Sequence, residues 1–103
     1  MPVTCLMTEP PAVRREVTGA KGRYVIRLAE GESELTYSIA SPTLVIADHT
    51  AVAPGLEGQG IGRRLLDALL ADARAEGFRI VPLCPYVNAQ RRKHPEWADL
   101  FSV

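Results

Sequence analysis

Four glycines fall within eight residues of one stretch, Pro54-Gly55-Leu56-Glu57-Gly58-Gln59-Gly60-Ile61-Gly62-Arg63-Arg64. An apolar, β-rich run from Leu44 to Ala53 precedes it, and an amphipathic helical pattern starts at Ile61. Strand, glycine turn and helix in that order suit the binding of phosphate. Glycines let the backbone approach the anion, and the unpartnered amides of the first helical turn point at it. No Ser, Thr, Asp or Asn stands just ahead of Ile61 to cap those amides. Arg63 and Arg64 add positive charge nearby. The stretch is not a P-loop, because no Lys-Ser or Lys-Thr follows, and Gly58-Gln59-Gly60-Ile61-Gly62 is not a full dinucleotide fingerprint. A plain strand-to-helix connection would use the same residues, so spacing alone leaves both readings open.

The other reactive side chains are few. Cys84 lies between Pro82 and Pro85, Tyr86 follows, and the two histidines are His49 and His94. A cysteine hydrolase built on Cys84 with His49 or His94 is conceivable from residue types, but no elbow-type motif supports it. No Cys/His cluster has zinc-ligand spacing, so no metal is expected. Cys5 and Cys84 do not make a disulfide scaffold. Twelve basic and twelve acidic residues cancel, which gives no reason to expect a nucleic-acid or membrane-surface partner. Met1-Pro2-Val3-Thr4-Cys5 shows no basic region followed by an apolar core, and no apolar run reaches the ~20 residues of a membrane span. A cytoplasmic protein is the expectation.

With 103 residues the chain should form one domain, burying roughly 65% of the surface its unfolded form exposes. Residues 1–13 carry three prolines without periodicity and read as a flexible arm; residues 14–103 then make up the domain. A first strand within Arg15–Gly19 is weakly marked. Arg23–Ala29 is rich in β-formers, Glu30-Gly31-Glu32-Ser33 reads as a turn, and Glu34–Ala40 alternates with Leu35, Tyr37 and Ile39 on one face. These two runs predict a hairpin. A third strand starts at Leu44; alternation along it puts Asp48 and His49 on opposite faces.

After the glycines, Ile61, Leu65, Leu66, Leu69, Leu70 and Ala73 share one helical face, and Gly77 marks the stop. Arg79–Pro85 is a strand that should pair in parallel with the 44–53 strand through a right-handed crossover. Pro82 and Pro85 remove two backbone donors, so that strand should start paired and then peel away. Tyr86–Lys93 reads as a short helix and Pro95–Phe101 as another. The class is α/β (α+β), a mixed sheet with a splayed parallel pair.

The segments Asp48-His49-Thr50, Leu56–Gly62, Pro82-Leu83-Cys84-Pro85-Tyr86-Val87 and His94-Pro95-Glu96-Trp97 together resemble the GNAT superfamily of acyl-coenzyme A-dependent N-acyltransferases, in particular its small single-domain members. The resemblance covers roughly residues 23–101 and implies a GNAT-like fold with acetyl-CoA as co-substrate. It implies that Thr50, Ala51 and Val52 hold the pantetheine arm through their backbone. The amides of Glu57, Gly58, Gln59, Gly60, Ile61, Gly62 and Arg63 would hold the pyrophosphate, and the thioester would lie in the splay. Many members carry Arg or Gln where Glu57 stands, so the Glu57 carboxylate should point away from the anion. The C-terminal Tyr that often protonates the leaving thiolate has no counterpart here.

The resemblance brings Cys84 close to the acyl group, as a nucleophile or as a small residue filling a strand. A histidine exchanges a proton near neutrality, so His49 could deprotonate an incoming ammonium or be structural. Tyr86 could protonate the departing thiolate or cover the core. Asn88 could hydrogen-bond the pantetheine arm or start the short helix. Arg91-Arg92-Lys93 could meet the coenzyme 3′-phosphate or be a solvated face, and His94 would cap or pack at the C-terminal turn. The expected activity is acetyl transfer to an amine acceptor, a small molecule or a protein amino group, by a monomer or weak homodimer. A coenzyme A-binding module without turnover is the alternative.

Overall fold

The computed structural model describes residues 12–102. The expected arm lies, up to residue 11, outside the described residues, whereas Val13 packs against the core. Five strands follow one another in space as in sequence: β1 (Arg14–Thr18), β2 (Lys21–Leu28), β3 (Gly31–Ser41), β4 (Leu44–Ala51) and β5 (Arg79–Pro82). The first four pair antiparallel and β5 pairs with β4 in parallel. Helix α1 (Ile61–Glu76) makes the crossover; α2 (Pro85–Lys93) and a 3₁₀ helix (Pro95–Leu100) follow β5. The α/β class, the mixed sheet, the hairpin strands and the long helix after the glycine loop are all as expected. No described helix is long and apolar enough to cross a membrane.

Several boundaries move. The β2–β3 turn contracts to Ala29–Glu30, so Glu32 and Ser33 become strand residues. Strand β4 ends at Ala51 and β5 at Pro82, both short of the expected ends, and α2 starts at Pro85 rather than Tyr86. The last element is a 3₁₀ helix that stops at Leu100. Phe101 leaves it extended to bridge Ile80, and the Ser102 amide donates to the Ile80 carbonyl at 2.8 Å. That contact covers the outer edge of β5, which would otherwise offer unpaired backbone.

Helix α1 buries the six residues that its periodicity selects, and Gly77 ends it in the left-handed conformation with its amide on the Ala73 carbonyl. Their partners are Tyr24, Ile26, Leu35, Tyr37, Val45 and Ala47 from one face of the sheet, joined by Val87, Trp97, Leu100 and Phe101. Strand β1, poor in apolar residues, is held by charge. Arg15 donates to the Tyr37 hydroxyl at 2.9 Å and to Asp72 and Glu76 at the end of α1, while Tyr24 donates to Asp72 at 2.8 Å. These bonds raise the Arg15 pKa, and burial followed by the Asp72 hydrogen bond raises that of the Tyr24 phenol.

The opposite face carries polar side chains: Lys21, Arg23 and Arg27 on β2, and Glu32, Glu34, Thr36 and Ser38 on β3. A β-bulge in β4 fixes what reaches that face. Thr36 pairs with His49 and Tyr37 with Ala47, so Asp48 is the extra residue. The expected split of Asp48 and His49 is thereby corrected. Asp48 accepts from Ser38 at 2.7 Å on the polar face, and His49 stands opposite Thr36 on the same face. Past the bulge Thr50 pairs with the buried Leu35 and turns to the helix side.

Candidate active site

The parallel pair parts where the prolines require it. Register runs from Leu44/Arg79 to Ala47/Pro82, and one further bond, from the Cys84 amide to the Ala47 carbonyl at 2.8 Å, closes the ladder. Beyond Ala47, β4 runs on alone on that side while Pro85 starts α2. The result is a gap, with Cys84 at its head. Cys84 is 1% exposed, and its Sγ lies 3.2 Å from Thr50 Oγ1. The bulge makes this contact possible by turning Thr50 toward the helix side.

From Ala51 the chain enters the glycine loop held by three anchors. The Ala53 amide donates to the buried Ser33 hydroxyl at 2.8 Å, Leu56 is buried, and the Leu56 amide donates to the Ala53 carbonyl at 3.0 Å. Ser33 was expected in a turn; it is instead a positioning residue, which turn-type composition around Gly31 conceals. Ser33→Ala strands a buried amide, at a cost of about 1–3 kcal/mol. A lower urea midpoint, with faster amide exchange across residues 53–60, is the expected result.

Within the loop, Gly55, Gly58 and Gly60 all have positive φ, at 88°, 82° and 78°. Gly60 is the N-cap of α1 and supplies no side chain; the first backbone bond of the helix runs from Arg64 to the Gly60 carbonyl at 3.1 Å. The amides of Ile61, Gly62 and Arg63 are therefore left without a cap from a side chain. No acidic residue lies in the first turn, which carries Arg63 and Arg64 instead. Cations at a helix N-terminus oppose the macrodipole, and an anion there would offset both. Glu57 turns its carboxylate back to accept from the Gly55 amide at 3.0 Å, and Gln59 donates to the Gly55 carbonyl at 3.3 Å.

The amides border an open cleft of about 370 Å³ lined by Val52, Leu56, Glu57, Gly58, Gly60, Ile61, Gly62, Arg63 and Tyr86. Gly62 faces the Tyr86 ring, and a Cβ there would make an ordinary contact with it at 3.4 Å. Burial raises the Tyr86 pKa, with Arg63 opposing, so the phenol keeps its proton at neutral pH. The Arg63 guanidinium is held over Trp97, 5.0 Å from the ring centroid, and bonds Asp67 at 2.9 Å.

The structure thus brings Val52, the glycine loop and Tyr86 together, with Thr50 and Cys84 paired at the gap. It separates others. Exposed His49 lies on the polar face, across the sheet from Cys84. His94 stacks on Trp97 with centroids 4.1 Å apart and pairs with Glu96 at 2.9 Å. Neither histidine is placed to serve Cys84 as a hydrolase base. Asn88 accepts from Arg91 at 2.8 Å within α2. Ala51 pairs with Glu34 at the end of β4.

Residues 23–100 match the GCN5-related N-acetyltransferase family. The solution structure of a GCN5-like protein from Staphylococcus aureus, a candidate N-acetyltransferase, is similar. It shares 25% identity, covers 86% of this chain and 87% of its own, and has a TM-score of 0.64. No curated protein matches the sequence. The family match covers the splayed strands, the uncapped helix start and the cleft between them, and this chain belongs to the GCN5-related N-acetyltransferase family.

Proposed function

We propose that the protein is a cytoplasmic acetyl-CoA-dependent N-acetyltransferase acting on an amine. The observation that carries this reading is the set of three side-chain-uncapped amides, Ile61, Gly62 and Arg63, opening into the cleft beside the β4–β5 gap. These amides and that of Gly60 would hold the pyrophosphate. Backbone groups of Thr50, Ala51 and Val52, unpaired on the β5 side, would hold the pantetheine arm. The bound co-substrate supplies an activated acetyl thioester; the protein supplies its placement at the head of the gap.

Transfer forms a C–N bond from the amine nitrogen to the thioester carbonyl carbon and breaks the C–S bond, leaving the electron pair on sulfur. His49, on the polar face, takes the proton that the ammonium must lose. Tyr86, kept protonated by burial, donates one to the leaving sulfur, and the second proton that the nitrogen sheds as it becomes an amide restores the phenol. Cys84 is buried and partnered by Thr50, which favours direct attack by the amine over an acyl-cysteine route.

Calorimetry with acetyl-CoA tests the binding, and thiol release with an amine library tests the turnover. Binding without release would leave a coenzyme A-binding module; no binding would remove the proposal. Cys84→Ala should keep turnover within a few fold, whereas Tyr86→Phe should lower kcat about 10²-fold, the low end for general acid catalysis. An acetyl mass gain on Cys84, together with loss of turnover in Cys84→Ala, would replace direct attack with the covalent route.

A further inference from the structure

The polar face of the sheet holds a second cavity, of about 500 Å³, with no part in the coenzyme cleft. It is a trough running across the strands. One wall is the cross-strand row Glu16–Arg23–Thr36, which His49 extends on β4; the other is Thr18–Lys21. Gly22 contributes to the floor, and Asp48 closes the β4 end. Asp48 follows Ala47, the residue at which β5 parts from β4. The trough therefore runs from the edge strand to Asp48, the residue between Ala47 and His49 in the chain, and His49 stands cross-strand from its Thr36 wall.

Its charges are unequally committed. Arg23 bonds Glu16 at 2.8 Å, Glu34 at 2.7 Å and Glu32 at 3.1 Å, and Glu16 also takes Arg27 at 3.0 Å. Lys21 and Asp48 are 3.8 Å apart, longer than any of those pairs, and the Lys21 side chain is 74% exposed. Ser38 lies between them, bonded to each at 2.7 Å. The trough thus offers a carboxylate and an exposed ammonium whose direct contact is long and which are otherwise joined through Ser38.

We propose that the acceptor is an amine carrying its own carboxylate, of amino-acid size, with its ammonium on Asp48 and its carboxylate on Lys21. This rests on the acetyl-transfer reading of the cleft. The signs of these two charges decide it. A simple amine would put a second cation on Asp48 next to Lys21, and a polyamine would add further cations beside Lys21 and Arg23. A zwitterion replaces one long ion pair with two short ones.

The test uses matched pairs, an α-amino acid and its decarboxylated amine (serine with ethanolamine, histidine with histamine), and spermidine. Binding to the full chain is followed by amide NMR, and turnover by thiol release from acetyl-CoA. Each amino acid should shift the amides of Lys21, Thr36 and Asp48 and be preferred to its amine by about 10-fold or more, as charge-assisted bonds give. Lys21→Ala should abolish that preference, and Asp48→Asn should weaken both members of a pair. Both variants are surface changes whose thermal melts should match the parent. Preference for amines or spermidine, or no amide shift with any probe, overturns the proposal. Acetyl-CoA calorimetry, run separately, reports on the cleft: a silent trough with intact coenzyme binding sinks only this inference, and lost coenzyme binding sinks the reading beneath it.

Discussion

Gly60→Val should lower acetyl-CoA affinity at least about 100-fold, some 2.7 kcal/mol, while the domain still folds. Two costs combine. Gly60 has φ +78°, where an L side chain loses roughly 1–2 kcal/mol and a β-branched one fares worst. A Cβ at Gly60 meets no protein atom within 4 Å, and Gly60 lines the cleft, so the new side chain would project where the pyrophosphate is proposed to sit. Gly77→Val separates the two. Gly77 caps the other end of the same helix with φ +77° and equally open space. It should lose similar stability, a melting shift of about 4–8 °C per kcal/mol in a domain of this size, yet keep its affinity. Equal affinity in Gly60→Val and wild type by calorimetry would mean the anion lies elsewhere.

The elements most legible in the sequence are those whose signal is local. The six buried positions of α1 are spaced along one helical face, and Gly77 ends the helix where a left-handed residue is needed. Pro82 and Pro85 announce the splay because a missing donor acts at its own position. Strand β1 is faint because its anchors are distant: Arg15 reaches Asp72 and Glu76, 57 and 61 residues away. The bulge at Asp48 is silent for another reason. Alternation can be read only if the register is unbroken, and the extra residue is set by pairing with β3. One inserted residue places Thr50 against Cys84 and sets Asp48 beside His49, so the face assignments within the site depended on a feature that composition does not carry. Ser33 was concealed similarly: Glu30-Gly31-Glu32-Ser33 has turn chemistry, but β3 claims three of the four.

Gly22→Ala should be the most damaging single-methyl change on the sheet. A Cβ on Gly22 would lie 2.3 Å from Tyr37 Cζ and 2.5 Å from its hydroxyl oxygen. Tyr37 is fully buried, its ring 5.4 Å from that of Tyr24, and its hydroxyl accepts from Arg15 at 2.9 Å. The ring can retreat only by disturbing Tyr24 or releasing Arg15, which ties β1 to the end of α1. Overpacking of this kind costs about 1–3 kcal/mol, and a lost hydrogen bond to a charged group adds about 1.5–3. Against a total of about 5–15 kcal/mol for a domain, the variant should unfold at much lower urea. Tyr37→Leu removes the obstacle and the Arg15 acceptor together. The double variant should therefore be less destabilised than the sum of the two single changes, with a coupling of about 1–3 kcal/mol. A Gly22→Ala protein with the wild-type urea midpoint would show that Tyr37 does not lie across Gly22. The Arg15–Tyr37 bond would then lose its place in the account of why β1 forms.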